Sequence, residues 1–444
     1  MLLKNLSLHK ISLYLLYLLP ISLISGPAIP DISITLICIL FIVHIINTKE
    51  FWWIKEGWIK AAILFWFSLL LISFFAKDKF SSFADSIIFI RLILLSIAIY
   101  VWIIQERKHL KNLSIIFFIT IIFIISDSLY QFLSYDPATG YGKDIFGFVP
   151  KHYGRLTGPF NDQVPGSHLT RFFFVSILVF IYFFDKNKIN STIFFFYVLL
   201  NGLTIFVSGE AMSIATFFLG FIILIIIFKE YRKFFLFSFI SLILLITLLL
   251  KNHKSYHDYD IIKSTPYHLG LVIEKKFKCD ENSLNICTKT IITNPEFITV
   301  IKNFGVSVYA KIYTESYRMW LDNKITGIGL NNYESLCKQN SKYRIAKENY
   351  GDCSSHPHNF YLQWLVESGI IGFCLFLTFV TMIFKKLIHN INYTTSKIGF
   401  ISLVVIFWPI SSTGSLLKNW YGIEVFLLVG LSLVCTKKIF KNKN

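Results

Sequence analysis

Long uninterrupted apolar blocks recur along this chain, and they exclude most folds before any single residue is considered. A helix needs ~20 mostly apolar residues to cross the hydrocarbon layer. Inside that layer the backbone must satisfy its own hydrogen bonds, which leaves helices or closed barrels. Barrel strands read as short alternating segments, whereas these blocks are continuous. About twelve are read: Ile11–Ala28, Ile32–Ile46, Ile59–Ala76, Ala84–Ile104, Leu113–Leu133, Leu169–Phe184, Thr192–Ser208, Met212–Phe228, Phe234–Leu250, Phe360–Phe384, Ile398–Thr413 and Ile423–Cys435. The expected fold class is all-α, a polytopic membrane protein with about 12 transmembrane helices and a large external loop between helices 9 and 10. The expected domains are 1–250 (helices 1–9, with an external segment at 134–167), 251–358 (a loop domain) and 359–444 (helices 10–12 and a tail). Lys4 and Lys10 precede the first block as in a signal peptide. No small-residue cleavage site follows, and Pro27, Pro30 and Asp31 read as a turn between two spans.

A net charge of +17 invites a nucleic-acid reading, but the basic residues sit between apolar blocks and not on one soluble face. No nucleic acid is expected; the bilayer is the partner. The N-terminal tail, alternate short loops and C-terminal tail hold 19 Lys and Arg, and the remaining short loops hold 6. The positive-inside rule then puts both termini in the cytoplasm. The 134–167 segment and the 251–358 loop fall outside. Four of the seven cysteines, Cys279, Cys287, Cys337 and Cys353, lie in that loop, where proximity favours the pairs Cys279–Cys287 and Cys337–Cys353. Such bridges need an oxidising compartment, which agrees with the charge argument.

The junction between this loop and the tenth block carries two imidazoles, His356 and His358, in the run Ser354-Ser-His-Pro-His-Asn359. Pro357 disfavours helix at His356, and Asn359 is suited to cap a helix beginning at Phe360. An imidazole with an ordinary pKa near ~6.5 takes a proton at neutral pH. Three roles fit the pair: proton acceptor, loop tether and metal ligand. No acidic cluster with ligand spacing accompanies them, so neither metal nor cofactor is expected. Arg91 lies inside the fourth block, and Arg155, Arg171 and Arg318 map at or beyond the external boundary. Guanidinium groups match phosphate oxygens through paired, permanently charged donors. Together the four describe an anion site at the outer interface; the alternative is snorkelling or pairing with Asp127, Asp162, Glu210 or Glu367.

His356-Pro-His-Asn-Phe-Tyr-Leu-Gln363, followed by Glu367-Ser-Gly-Ile-Ile-Gly372, resembles the signature of the O-antigen ligase and polymerase superfamily. Tyr317-Arg-Met-Trp320 and Gly327-Ile-Gly-Leu-Asn-Asn-Tyr333 are similar to its helix-and-glycine element. Asp127–Gln131, Asp144-Ile-Phe-Gly147 and Arg155-Leu-Thr-Gly-Pro-Phe160 are similar to its first external segment. The resemblance implies a metal-independent glycosyltransferase of the bacterial inner membrane with its site facing the periplasm. Its donor would be a glycan on undecaprenyl diphosphate and its acceptor lipid A–core or, in a polymerase, the growing glycan. His358 or His356 would serve as base or orienting group, and Arg155 and Arg318, with Arg91 and Arg171 in reserve, would hold the diphosphate. Val207-Ser-Gly-Glu-Ala-Met212 departs from the pattern, because arginine commonly follows Gly-Glu where this chain has Ala211; Gln163 stands where relatives often carry an acid. A flippase or transporter, or an inactive scaffold, is the competing class.

Overall fold

The computed structural model describes residues 2–136, 140–150, 154–160, 163–183, 188–256, 260–267, 270–278, 286–293, 304–344 and 353–437. These residues form two compact units, 1–113 with 308–444 and 114–307.

The first unit contains α1 (Leu2–Ser22), α2 (Ala28–Thr48), α3 (Gly57–Ser73), α4 (Lys79–Ala98, continued by a π-turn at Ile99–Ile103) and the start of α5 (Arg107–Leu133). After residue 308 it adds α11 (Val308–Asp322), α12 (Tyr333–Gln339), α13 (Phe360–His389), α14 (Thr394–Ile406) and α15 (Asn419–Val434). Its core is aromatic. Trp364 of α13 is fully buried and meets Phe65 of α3 edge-on at 5.0 Å and Phe89 of α4 at 5.5 Å. Phe89 in turn meets Phe426 of α15 at 5.5 Å. Such edge-to-face pairs add to plain area burial, and here they tie four helices at one level.

The second unit holds the rest of α5, then α6 (Pro165–Ser176), α7 (Leu178–Phe183), α8 (Lys188–Val207), α9 (Ala211–Ile227) and α10 (Arg232–Asn252). Beyond α10 the chain forms an antiparallel meander of β1 (Asp260–Tyr267), β2 (Gly270–Lys278) and β3 (Ile286–Thr293). The all-α expectation contains no sheet. Its β-branched runs, Ile261-Ile262, Val272-Ile273 and Thr290–Thr293, are the kind that favour strands.

Among the described residues five helices are long and apolar enough to cross a membrane: Ala28–Thr48, Lys79–Ile103, Arg107–Leu133, Lys229–Asn252 and Phe360–His389. Shorter apolar helices coincide with further blocks. The block read as Ile398–Thr413 is helical only to Ile406; Pro409 and the polar run after it carry the chain into a loop.

One feature of α13 sets up everything at its N-terminal end. The helix breaks at Gly369, with φ 63 and ψ −169, a backbone conformation essentially confined to glycine. The break frees two carbonyls and two N–H groups, and a lipid environment cannot satisfy them. Residues 324–329 take all four. Ile328 and Gly329 donate to Val366 O and Glu367 O, each at 3.0 Å, and Lys324 O and Ile325 O accept from Ile370 and Ile371 at 2.9 and 3.4 Å. Gly327 (φ 70) fits because a Cβ there would stand 2.5 Å from the Glu367 carbonyl carbon. The same element is anchored on the α3–α4 turn: Lys77 N–H donates to Ile328 O at 3.2 Å, and Asp78 N–H donates to Asn332 Oδ1 at 2.9 Å.

Candidate functional site

The N-terminal stub of α13, Phe360 to Ser368, is capped by Asn359. The Asn359 side chain accepts from Leu362 N–H at 3.0 Å, as the sequence expects of an N-cap. Its amide also donates to Pro409 O (2.7 Å) and Ser411 O (3.2 Å). Thr413 continues the grip: its N–H donates to His358 O at 2.8 Å and its hydroxyl accepts from Phe360 N–H at 3.0 Å. The histidine cap is thus moulded by the loop at 408–418. Sequence reading missed this loop by assigning it to a membrane span, although Pro409 and the run Ser411-Ser-Thr-Gly-Ser415 were a legible signal.

His358 sits at φ 53, a left-handed conformation unusual for a side-chain-bearing residue. The turn puts its ring 4.3 Å from that of His356 and 6.1 Å, edge-on, from Tyr309 of α11. The two imidazoles differ in how they are held. His356 Nε2 lies 3.3 Å from Thr413 O. A carbonyl only accepts, so Nε2 carries the proton and Nδ1 accepts from the Ser355 hydroxyl at 3.0 Å. The ring nitrogens of His358 make no hydrogen bond among the described residues. Burial lowers both rings below the ordinary histidine range; His356 falls to about 4, with His358 and Lys418 adding to the effect and the bond to Thr413 O opposing it. Both imidazoles are therefore neutral at pH 7, and His358 is the one with a free lone pair.

Beside this cap an apolar cavity of about 310 Å³ is lined by Tyr313, Asn359, Tyr361, Leu362, Leu365 and Phe373. Under the loop, Cys337 and Cys353 form a disulfide with Cα atoms 5.8 Å apart. Cys337 joins buried Met319, Ile328, Tyr333 and Val366 in one cluster, so the bridge pins the segment leading to the histidines onto α11, α12 and α13. Cys279 lies outside the described residues, and the Cys279–Cys287 pairing with it.

Arg91 and Arg318 belong to the first unit, and Arg155 and Arg171 to the second. Arg318 is exposed on α11 and has no hydrogen-bond or ion-pair partner among the described residues. It stands nine positions from Tyr309 in sequence, roughly 14 Å of helical rise and half a turn round, so α11 by itself does not carry it to the imidazoles. Lys418, by contrast, is close enough to His356 to act on its protonation; its charge entered the sequence reading only as topology. Arg91 is committed within the first unit. It pairs with Asp31 at 2.8 Å and donates to Asn419 Oδ1 at 2.7 Å and Thr35 Oγ1 at 3.3 Å.

In the second unit Arg155 lies at the turn preceding Ala211. Leu156 N–H donates to Ser208 O at 3.3 Å, and a Cβ on Gly209 (φ 79) would collide with Gly154 O. Gln131 Oε1 holds the same segment by accepting from Thr157 N–H (2.9 Å) and Gly158 N–H (3.0 Å). Glu210 accepts from the Ser213 hydroxyl at 2.8 Å, and Arg171 donates to Ser167 Oγ at 3.3 Å. Two segments far apart in sequence, Arg155–Phe160 and Val207–Met212, are thereby neighbours.

Residues 196–377 match the model of a protein family described as O-antigen ligase. The matched stretch runs from α8 past the break in α13 and includes Ala211, Arg318, His356 and His358; Arg91, Arg155 and Arg171 lie outside it. No curated protein matches the chain.

Proposed function

We propose, from the membership of the O-antigen ligase superfamily that this match supports, that the protein is a ligase-type glycosyltransferase of the bacterial envelope. In this reading it transfers a glycan from undecaprenyl diphosphate to an acceptor hydroxyl on lipid A–core at the periplasmic face. The observation that carries the proposal is a neutral His358 imidazole, with no hydrogen bond to its ring nitrogens among the described residues, next in sequence to Asn359, which lines an apolar cavity. A base that must take a proton from a sugar hydroxyl needs a free lone pair and a pKa that leaves it neutral. The donor lipid needs an apolar berth, and Asn359 lines that cavity next to His358.

His358 is the proposed general base, and His356, tethered by Thr413 and Ser355, sets its orientation through ring contact. As the acceptor oxygen attacks the anomeric carbon, the bond to the diphosphate breaks and negative charge grows on the leaving group, which fixed cations stabilise. Arg318 is the proposed diphosphate contact, and Lys418, whose charge acts on His356, is a further candidate cation of the first unit; Arg155, in the second unit, stays a candidate on the resemblance alone. Arg91 is dropped from this role because its guanidinium already serves Asp31. Polymerase action, with the growing glycan as acceptor, is the second reading within the same chemistry.

The test is surface glycan analysis in cells expressing His358→Ala, His356→Ala, Arg318→Ala or Lys418→Ala at wild-type levels. Loss of a ligase leaves bare core with polymer on the carrier lipid; loss of a polymerase leaves core bearing one repeat. His358→Ala is expected to lower transfer by about 10²–10⁴-fold. Unchanged glycan in the His358 variant would refute the assignment.

A further inference from the structure

The opposite end of α13 has its own cavity, unrelated to the histidine cap. It encloses about 350 Å³ and is lined by Trp52, Tyr100, Gln105, Lys386, Asn390 and Lys437, with Thr436 beside them. These residues come from four places: the turn after α2, the α4–α5 connection, the last turn of α13 with its cap, and the exit of α15. All belong to the end at which α15 finishes, read as cytoplasmic from loop charge.

The charges there do not balance. Lys386 is neutralised by Glu56 at 2.6 Å, and Glu56 also accepts from Tyr100 OH at 3.2 Å. Lys437 has no carboxylate partner among the described residues. It donates to Ile104 O at 3.0 Å and Gln105 Oε1 at 3.3 Å, which leaves one of its three protons unspent. The two ammonium groups stand over the same Tyr100 ring, at 4.7 and 5.2 Å from its centre. Burial and the Lys386 charge push the Lys437 ammonium down to about 8, the direction expected of a partly desolvated cation lacking an anion. Trp52, half exposed at 50%, stands at the rim, and an indole prefers the headgroup level of a bilayer.

We infer that this cavity is a binding site for the phosphate headgroup of an anionic phospholipid, with Lys437 as the principal contact and Lys386, held by Glu56, as the second cation. Basic pockets between membrane helices suit such headgroups. A lipid is favoured over free phosphate because Trp52 supplies an apolar contact that a soluble anion does not use.

The experiment is native mass spectrometry and thermal melting of the full chain in neutral detergent. Dioleoyl phosphatidylglycerol, dioleoyl phosphatidylcholine and inorganic phosphate are added separately. Phosphatidylglycerol is expected to remain bound and raise the melting temperature, and the other two to do neither. Lys437→Gln is expected to weaken lipid retention by about five- to tenfold, and Lys437→Arg to preserve it, which separates loss of charge from misfolding. Equal retention of phosphatidylcholine, protection by phosphate alone, or undiminished lipid on Lys437→Gln would each overturn the proposal.

Discussion

The rings of His356 and His358 lie 4.3 Å apart, yet among the described residues only His356 is hydrogen-bonded through its ring nitrogens. One imidazole is thus spent on position and its neighbour is left with its lone pair. The asymmetry distinguishes two residues that sequence alone treats as equivalent.

The pH dependence follows from burial. Both rings titrate below the unfolded value of ~6.5, His356 at about 4. Between those limits the unfolded chain binds more protons than the folded one, so stability rises with pH across the window. The contribution of the neutral rings is complete above pH ~6.5 and drains away as the pH falls toward 4. The acid limb of kcat/KM is expected below pH ~6.5. A transfer assay from pH 4.5 to 8 checks this, and a limb centred at or above the ordinary histidine value contradicts it.

The interleaved backbone at Gly327 and Gly369 leaves no room for a methyl group. Gly327→Ala puts a Cβ 2.5 Å from the Glu367 carbonyl carbon at a φ of 70, at an expected cost of about 1–3 kcal/mol. Gly305→Ala, where nothing lies within 4 Å, is the matched control. Melting in detergent should separate the two variants; equal melting temperatures would remove the close approach from the account.

Arg91 and Arg318 should fail differently. Arg91→Ala strands Asp31, and breaking such a pair costs on the order of 3 kcal/mol, so its defect is expected in stability. Arg318 has no such partner among the described residues. Arg318→Ala should melt like the wild type and lose transfer, with the loss carried by KM for the lipid-linked donor or by kcat. A stable Arg91→Ala protein with weakened donor binding reverses the assignment.

The Cys337–Cys353 bridge closes a loop with a sequence separation of 16, for which the chain-entropy model gives about 3 kcal/mol. Cys337→Ser, or reductant on the wild type, should lower the melting temperature and reduce transfer, since the segment held down leads directly to the histidines. Identical melting with and without reductant would show that the bridge contributes nothing.

The membrane helices were legible because apolar blocks of spanning length leave the chain few alternatives, and the cap at Asn359 was legible from its residue type and position. The loop at 408–418 was missed although Pro409 and Ser411-Ser-Thr-Gly-Ser415 signal it, because its apolar start Phe407-Trp408-Pro-Ile410 continues the hydropathy of α14. The sheet at 260–293 was missed because charged residues interrupt the alternation, as in Glu274-Lys-Lys276. The ion pair between Arg91 and Asp31 joins residues 60 positions apart, a relation that no local pattern reports. Arg155 and Ala211 were singled out separately; that their segments touch was beyond any spacing rule.

The interruption at Gly369 has a consequence for how such a chain can change over time. In a continuous helix every inserted residue rotates all that follows by ~100°, so lengthening the longer rod would swing the imidazoles round with it. Here the phase is reset at one glycine and fixed instead by residues 324–329. The long rod can be trimmed or extended to suit bilayers of different thickness while the stub next to the histidines keeps its bearing.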